Sequence, residues 1–199
     1  MNYELLVAAS LFAVVSLITP GPNNTMILTS GVNFGLQRTL PHLLGICIGF
    51  GLMQVLVGLG LHTVLGQYPS VLEILRYVGG AYMLWLAWKL ATSRAAPNEV
   101  AAGSRPLGFW GAAAFQWVNP KAWVMCMTAM TAYLPTQAST TQVLMLGTMF
   151  MVLGIPCVGT WAAFGSSMRR FLQDPLKLRI FNNAMALALV ASLYPMLMT

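Results

Sequence analysis

The feature that most constrains this chain is a series of apolar stretches, each about 18 to 25 residues long, that recurs along the whole sequence. A helix rises about 1.5 Å per residue, so a stretch of this length crosses a hydrocarbon core of roughly 30 Å. Apolar residues make up 58% of the chain and charged residues 7%, whereas an ordinary soluble domain holds roughly 25% charged residues. The sequence therefore predicts an integral membrane protein.

The apolar stretches show no polar–apolar alternation with period two, which favours helices over the strands of a membrane barrel. The predicted fold is an all-α integral membrane protein of six transmembrane helices, formed by a single domain over residues 1–199. The first four residues carry no Lys or Arg, so the first span is expected to remain rather than be cleaved as a signal peptide. The spans are expected near residues 5–28, 43–61, 72–90, 109–134, 143–164 and 181–198.

Basic residues predict the orientation of these spans, because Lys and Arg accumulate in cytoplasmic loops. Arg76 is the single basic residue on the side that holds both termini, so both termini are expected to face away from the cytoplasm. The net charge of +6 is explained by topology, since no nucleic-acid-binding module accompanies it. The basic residues of the first, third and fifth loops and their borders are Arg38, Lys89, Arg94, Arg105, Arg169, Arg170, Lys177 and Arg179.

The pattern of three spans is repeated about 100 residues later along the chain. Repeat one covers about residues 1–92, a polar cytoplasmic loop about 93–107, and repeat two about 108–199. Pro20 in the first span corresponds to Pro120 in the fourth. Because each repeat has an odd number of helices, the second must enter from the opposite face, which predicts a 3+3 inverted repeat of the kind found in secondary transporters.

The segment TPGPNNT, residues 19–25, breaks the first span. A proline has no N–H for the carbonyl four residues back and costs roughly 3 kcal/mol inside a helix. Pro20 and Pro22 should therefore release the carbonyls of Ser16 and Ile18. Such groups need partners other than lipid, so the break is expected to face a polar cavity inside the bundle.

The segment QWVNPK, residues 116–121, breaks the fourth span and adds a charge. Pro120 should release the carbonyl of Gln116. Lys121 would lie near the bilayer centre, where a lysine costs about 2.5 to 3.5 kcal/mol, and no Asp or Glu lies centrally in any predicted span. The missing partner is interpreted as an anionic ligand.

The two breaks together suit a zwitterion. A substrate carboxylate would meet Lys121 and a helix N-terminus, while its ammonium would meet freed carbonyls and the amides of the asparagines. The alternative interpretation is that the prolines are structural kinks and that Lys121 snorkels to an interface or bonds backbone carbonyls. The candidate substrate-binding residues are Pro20, Gly21, Pro22, Asn23, Asn24, Gln116, Asn119, Pro120 and Lys121.

Several motifs of this chain resemble the LysE/RhtB family of amino-acid exporters, and the resemblance covers essentially the whole length. They are TPGPN at residues 19–23, NPK at 119–121 and GGAYMLWLAWKL at 79–90. The passage AYMLWLAWKLATS, residues 81–93, looks especially like the cysteine/O-acetylserine exporters. The positions that match the family's motifs are Pro20, Gly21, Pro22, Asn23, Asn119, Pro120 and Lys121.

The resemblance implies export of small amino acids or their derivatives from the cytoplasm, driven by the proton gradient, by a six-helix protein that forms a homodimer. One departure bears on the coupling. Many members of the family have an aspartate directly after PGP, where this chain has Asn23, and an asparagine cannot take up and release a proton. Coupling would then require another group, such as Lys121 or the substrate itself, or a different energy source.

Other classes of function are weighed against an exporter. An intramembrane enzyme is disfavoured because the chain has no HExxH motif and no GxS nucleophile beside a histidine. A metal carrier would need clustered ligands, whereas Cys47, Cys126 and Cys157 have no ligand spacing and are interpreted as packing residues, so neither a metal nor a cofactor is expected. A passive channel for small solutes and a structural membrane subunit stay open as alternatives.

Overall fold

The computed structural model describes residues 3–61, 69–93, 105–135 and 137–194. These residues form helices joined by short connections, and the described part of the chain has no strand, so the predicted all-α class is confirmed. One π-helical turn, Val57–Leu61, extends the third helix. The α-helices are α1 (Tyr3–Ile18), α2 (Pro22–Phe34), α3 (Leu36–Leu56), α4 (Pro69–Thr92), α5 (Phe109–Phe115), α6 (Pro120–Tyr133), α7 (Thr140–Met168) and α8 (Pro175–Ala191).

Two helical stretches in the described residues are long and apolar enough to cross a membrane, namely Leu36–Gly60 and Thr140–Met168. A third crossing is formed if α1 and α2, which meet at an angle of 54°, act as one broken span. The helices therefore have the character of a membrane protein. The six-span count and the inverted repeat stay predictions.

The last helix begins before the predicted sixth span. Helix α8 begins at Pro175 rather than near residue 181, because the carboxylate of Asp174 accepts hydrogen bonds from the backbone N–H groups of Leu176 at 2.9 Å and Lys177 at 3.3 Å. Asp before a proline at the first helical position is a strong start signal. The hydrophobic pattern does not include this first turn because it is charged, and Lys177 and Arg179, predicted at the border of the fifth loop, lie in the first turns of the helix. The predicted end of the span beyond residue 194 lies outside the described residues.

Helix α7 is at the centre of the packing, where it contacts α1, α2 and α3, and α3 in turn packs on α5. Helix α4 packs mainly on α8, and this pair lies beside the rest of the bundle. Phe150 of α7 joins the layers, since its ring meets Phe50 edge-on at 5.7 Å between centroids and Phe12 at 6.3 Å. Burial of these rings fixes α1 and α3 on either side of α7.

Glycines set how closely these helices approach. A Cβ at Gly31 of α2 would meet the carbonyl oxygen of Ala162 in α7, and a Cβ at Gly165 of α7 would meet that of Leu28 in α2. Gly45 of α3 contacts the backbone of α5 in the same way. Small residues at facing positions permit backbone-to-backbone contact, as is usual between membrane helices. Helix α2 is thereby held close to α7, and α3 close to α5.

Candidate functional site

The first break lies between α1 and α2. The chain passes through Gly21 in an extended conformation (φ 177°, ψ 178°), and Pro22 takes the first position of α2, where its missing N–H costs nothing. The released carbonyl of Ser16 accepts a hydrogen bond from the Thr19 hydroxyl at 2.9 Å. The released carbonyl of Ile18 accepts one from the indole N–H of Trp161 at 3.0 Å. Each of these two oxygens thus has a donor within the protein and keeps a second lone pair. A role for them in ligand binding stays a prediction.

Asn24 closes the end of α1 from within the same segment. Its amide nitrogen donates to the carbonyls of Leu17 at 2.8 Å and Thr19 at 2.7 Å. The side chain is 3% exposed, so the two hydrogen bonds are shielded from competing water. The two N–H groups of this amide are therefore used by the helix end. The predicted contact of the amide with a substrate ammonium would use its oxygen and stays a prediction.

The second break lies between α5 and α6, where a single 3₁₀ turn, Gln116–Val118, tightens the chain before Pro120. The carbonyl of Gln116, released by Pro120 as expected, accepts from the backbone N–H of Asn119 at 3.3 Å. The side-chain oxygen of Asn119 caps α6 by accepting from the backbone N–H of Lys121 at 3.1 Å. Asn119 and Pro120 together form a strong local signal for a helix start.

Side chains of the second break reach the first. The Lys121 ammonium donates to the carbonyls of Thr19 at 2.7 Å and Pro20 at 3.0 Å. The amides of Asn23 and Gln116 pair reciprocally, with Asn23 Nδ2 donating to Gln116 Oε1 at 2.8 Å and Gln116 Nε2 donating to Asn23 Oδ1 at 3.1 Å. The two segments that the sequence selected independently are thus in direct contact.

The charge of Lys121 has no anionic partner in the described part of the chain. The salt bridge found there joins Lys177 and Asp174 at the start of α8, far along the chain from this residue. Backbone carbonyls are the observed acceptors of the Lys121 ammonium, as one alternative interpretation of the sequence foresaw. They solvate the ammonium but do not neutralise it, so the site keeps a net positive charge.

A cavity lies directly beside this contact. Gly21, Asn23, Asn24, Asn119 and Lys121 line it, and its volume of about 30 Å³ holds about two water molecules. Of the nine candidate residues, these five reach the cavity. Pro20, Pro22, Gln116 and Pro120 do not line it and instead shape the two breaks around it.

The opposite wall of this central cavity is apolar, and the sequence did not indicate it. Cys47 and Phe50 of α3, Met125 of α6 and Phe150 of α7 contribute to it. The sequence treated Cys47 as packing, and it is indeed buried at 3% exposure, but it packs along the cavity. Apolar residues carry no local signal that separates a cavity wall from an ordinary core.

The electrostatics of the central cavity are dipolar. Helices α2 and α6 both begin there, with Gly21 and Asn119 as their capping residues, and a helix N-terminus carries roughly half a positive charge. Helix α1 ends there, so the carbonyls of Leu17, Thr19 and Pro20 supply the negative side. The arrangement offers donors, a cation and carbonyl acceptors close together, with the Lys121 ammonium in contact with the carbonyls of Thr19 and Pro20.

Apolar helices that surround a small polar cavity, formed where two broken helices meet around an unpaired lysine, define a membrane transport protein. The chain belongs to the LysE type translocator family, whose family model matches residues 14–192. It is 33% identical over 172 residues to a cysteine/O-acetylserine efflux protein of Salmonella paratyphi A, covering 85% of this chain and 87% of the relative. It is 31% identical over 176 residues to the protein of that name from Escherichia coli strain K12, covering 87% and 89%. No solved structure matches the chain.

Proposed function

We propose that the protein is a secondary transporter that exports small amino acids or their derivatives, cysteine-like, O-acetylserine-like or small and neutral, from the bacterial cytoplasm across the inner membrane. Membership of a translocator family and the efflux activity named for its relatives support this proposal. The observation that carries it is the Lys121 ammonium, held by two carbonyls of the opposite break beside a cavity that both breaks line.

The proposed binding step is an exchange of partners. The substrate carboxylate pairs with Lys121 near the beginnings of α2 and α6, and Lys121 releases at least one of its two carbonyl acceptors. The substrate ammonium then donates to the released oxygen of Thr19 or Pro20. A zwitterion thereby replaces, group by group, the hydrogen bonds of the empty site. Because the cavity holds only about two water molecules in this conformation, the breaks must separate as the substrate enters.

The energy source in this proposal is the proton gradient, taken up by a group other than Asn23. The Asn23 amide is paired with Gln116 and does not titrate. Lys121 and the substrate itself are the ionisable groups that meet at the site. A passive channel for small solutes is the competing function, because broken helices also line pores.

The proposal includes a six-span, 3+3 inverted arrangement with both termini outside, and assembly as a homodimer in the lipid bilayer. The contacts between corresponding helices support the repeat, since α3 packs on α7, α4 packs on α8, and the two breaks meet. The side of each terminus is measured by labelling engineered terminal thiols from outside intact cells. The mass of the purified protein in detergent tests the dimer.

Counterflow in liposomes tests the function. Purified protein is reconstituted, the liposomes are loaded with one unlabelled amino acid, and uptake of a labelled panel that includes L-cysteine and O-acetyl-L-serine is followed. We expect concentrative uptake of small amino acids, absent with Lys121→Ala, and unequal flux when a pH gradient is imposed. Flux that is downhill only and indifferent to the pH gradient would establish the channel instead. Absence of flux of every amino acid tested, in protein that is folded, would refute the exporter proposal.

A further inference from the structure

A second, larger cavity opens along α2, from Thr25 near the beginning of that helix to Phe34 at its end. Its volume is about 450 Å³, and α2, α3, α4 and the segment leading into α5 contribute to its walls. Its lining includes Ser30, His42, Lys89 and Arg105, and Lys89 and Arg105 are basic residues of the predicted cytoplasmic side. We call it the α2 vestibule.

The first indication of a ligand in the α2 vestibule is the hydroxyl of Thr25. Thr25 lines the vestibule, is 2% exposed, and its Oγ1 has no hydrogen-bond partner in the described residues. Its polar neighbours are satisfied, because Thr29 donates to the Thr25 carbonyl at 2.9 Å and Ser30 pairs with Nδ1 of His42 at 3.0 Å. A buried hydroxyl without a partner costs about 1 to 3 kcal/mol. The Thr25 hydroxyl is buried in the vestibule wall, so it favours a conformation in which it turns towards a polar group in the vestibule.

The second indication is charge. Lys89 and Arg105 both line the vestibule and both are exposed, and no Asp or Glu is among the described residues of its wall. The Lys89 ammonium lies 5.0 Å from the ring centroid of Trp85, which orients it without neutralising it. A cleft lined by one sign of charge raises the local concentration of the opposite charge. The favoured occupant is an anion.

Helix α2 connects the vestibule to the central cavity. Asn23 and Asn24, in its first turn, line the central cavity, while Thr25, Thr29 and Ser30 line the vestibule. A small molecule held in the vestibule therefore lies along the same helix that shapes the central cavity.

We propose that the α2 vestibule is a second binding site, which holds the carboxylate of an amino acid before the molecule enters the central cavity. On binding, the Thr25 hydroxyl turns out of the vestibule wall and donates to that carboxylate, and Lys89 and Arg105 supply the attracting charge. This inference rests on the proposed export of amino acids and adds to it a separate entry site with its own residues.

Protection of a reporter thiol tests the vestibule separately from transport. Asn33 lines the vestibule and is half-buried, so an Asn33→Cys thiol reports its occupancy, while the three native cysteines are buried and wild-type protein serves as the labelling blank. The reporter is combined with Lys121→Ala to disable the central site, and the purified protein is labelled in detergent with a maleimide. The probe is O-acetyl-L-serine, and its methyl ester is the control ligand without a carboxylate.

We expect O-acetyl-L-serine to slow labelling and its methyl ester to leave it unchanged. Adding Thr25→Val should raise the half-protecting concentration about two- to tenfold, the worth of one hydrogen bond, and Thr25→Ser should restore it. Replacing Lys89 and Arg105 by Gln should raise the half-protecting concentration of O-acetyl-L-serine about two- to fivefold for each charge removed. The matched control Arg169→Gln/Arg170→Gln removes two charges from residues outside the vestibule wall and should change nothing.

Failure of this inference and failure of the proposed function give different results. Protection that is absent, or that does not depend on Thr25, Lys89 and Arg105, overturns the entry site even if wild-type protein shows counterflow of O-acetyl-L-serine. Protection with the expected dependence, in a protein without counterflow of any amino acid, leaves the carboxylate site standing and overturns export.

Discussion

Replacing Lys121 by Met removes the ammonium while keeping an unbranched side chain of similar length. The variant loses two hydrogen bonds from a charged donor, to Thr19 and Pro20, and such bonds are worth about 1.5 to 3 kcal/mol each. It also removes a lysine that costs about 2.5 to 3.5 kcal/mol inside a bilayer. The Thr19 carbonyl keeps its hydrogen bond from the Asn24 amide, so the free energy lost with the two Lys121 hydrogen bonds lies towards the lower end of its range. The opposing effects predict a stability change within about 2 kcal/mol.

Transport should respond far more strongly than stability. Truncating one partner of a buried, hydrogen-bonded charge pair, here Lys121 and the substrate carboxylate, costs about 2 to 5 kcal/mol or more of binding free energy. Because about 1.4 kcal/mol corresponds to a tenfold change in affinity, flux should fall at least about thirtyfold. The assay pairs counterflow in liposomes with the melting temperature in detergent. Lys177→Met is the matched control, because Lys177 is exposed and its ion pair with Asp174, at 3.9 Å, is worth about 0 to 1 kcal/mol. Undiminished flux in Lys121→Met refutes the reasoning, and a melting temperature low enough to explain lost flux would assign Lys121 a structural role.

Three further variants separate the roles of neighbouring groups. In Gly21→Ala the new Cβ would lie 2.6 Å from Cδ and 3.2 Å from Nζ of Lys121, so the ammonium must move. Flux should fall with little loss of stability. The control Gly108→Ala, whose Cβ meets nothing within 4 Å, should behave as wild type in both assays. Asn24→Ala leaves the last carbonyls of α1 short of donors and should lower the free energy of unfolding by about 1 to 3 kcal/mol, and an unchanged melting temperature would contradict this account. Gln54→Leu should raise stability by about 1 to 3 kcal/mol, because both side-chain polar atoms are buried at 0% exposure and have no partner among the described residues, and a less stable variant would reveal a bonded amide.

Both helix breaks could be located from sequence because proline acts locally. Pro20 and Pro22 flank a glycine and Pro120 follows an asparagine, and the structure breaks at those points. Pro41 and Pro156, which stand alone, lie inside α3 and α7 without ending them. The isolated charge of Lys121 was recognisable for a similar reason, since every other central residue of its span is uncharged. Local chemistry thus predicted which segments form the candidate site.

The partners of these groups could not be predicted, because they depend on packing between residues about 100 positions apart. Nothing in the sequence distinguishes Asn23, which pairs with Gln116 across the site, from Asn24, which closes its own helix end. The apolar wall formed by Cys47 and Phe50 could not be predicted either, since its residues follow the same apolar pattern as any buried helix face.

The contact between the breaks has a consequence for how the protein is made. When the first half of the chain leaves the ribosome and enters the bilayer, Asn24 can close the end of α1 at once, but the Pro20 carbonyl and the Asn23 amide receive Lys121 and Gln116 only after the second half has been synthesised. An exposed carbonyl in hydrocarbon is strongly unfavourable. The early intermediate must therefore keep this segment near water or the insertion machinery. Two separately translated halves should accordingly accumulate only when they are produced in the same cell.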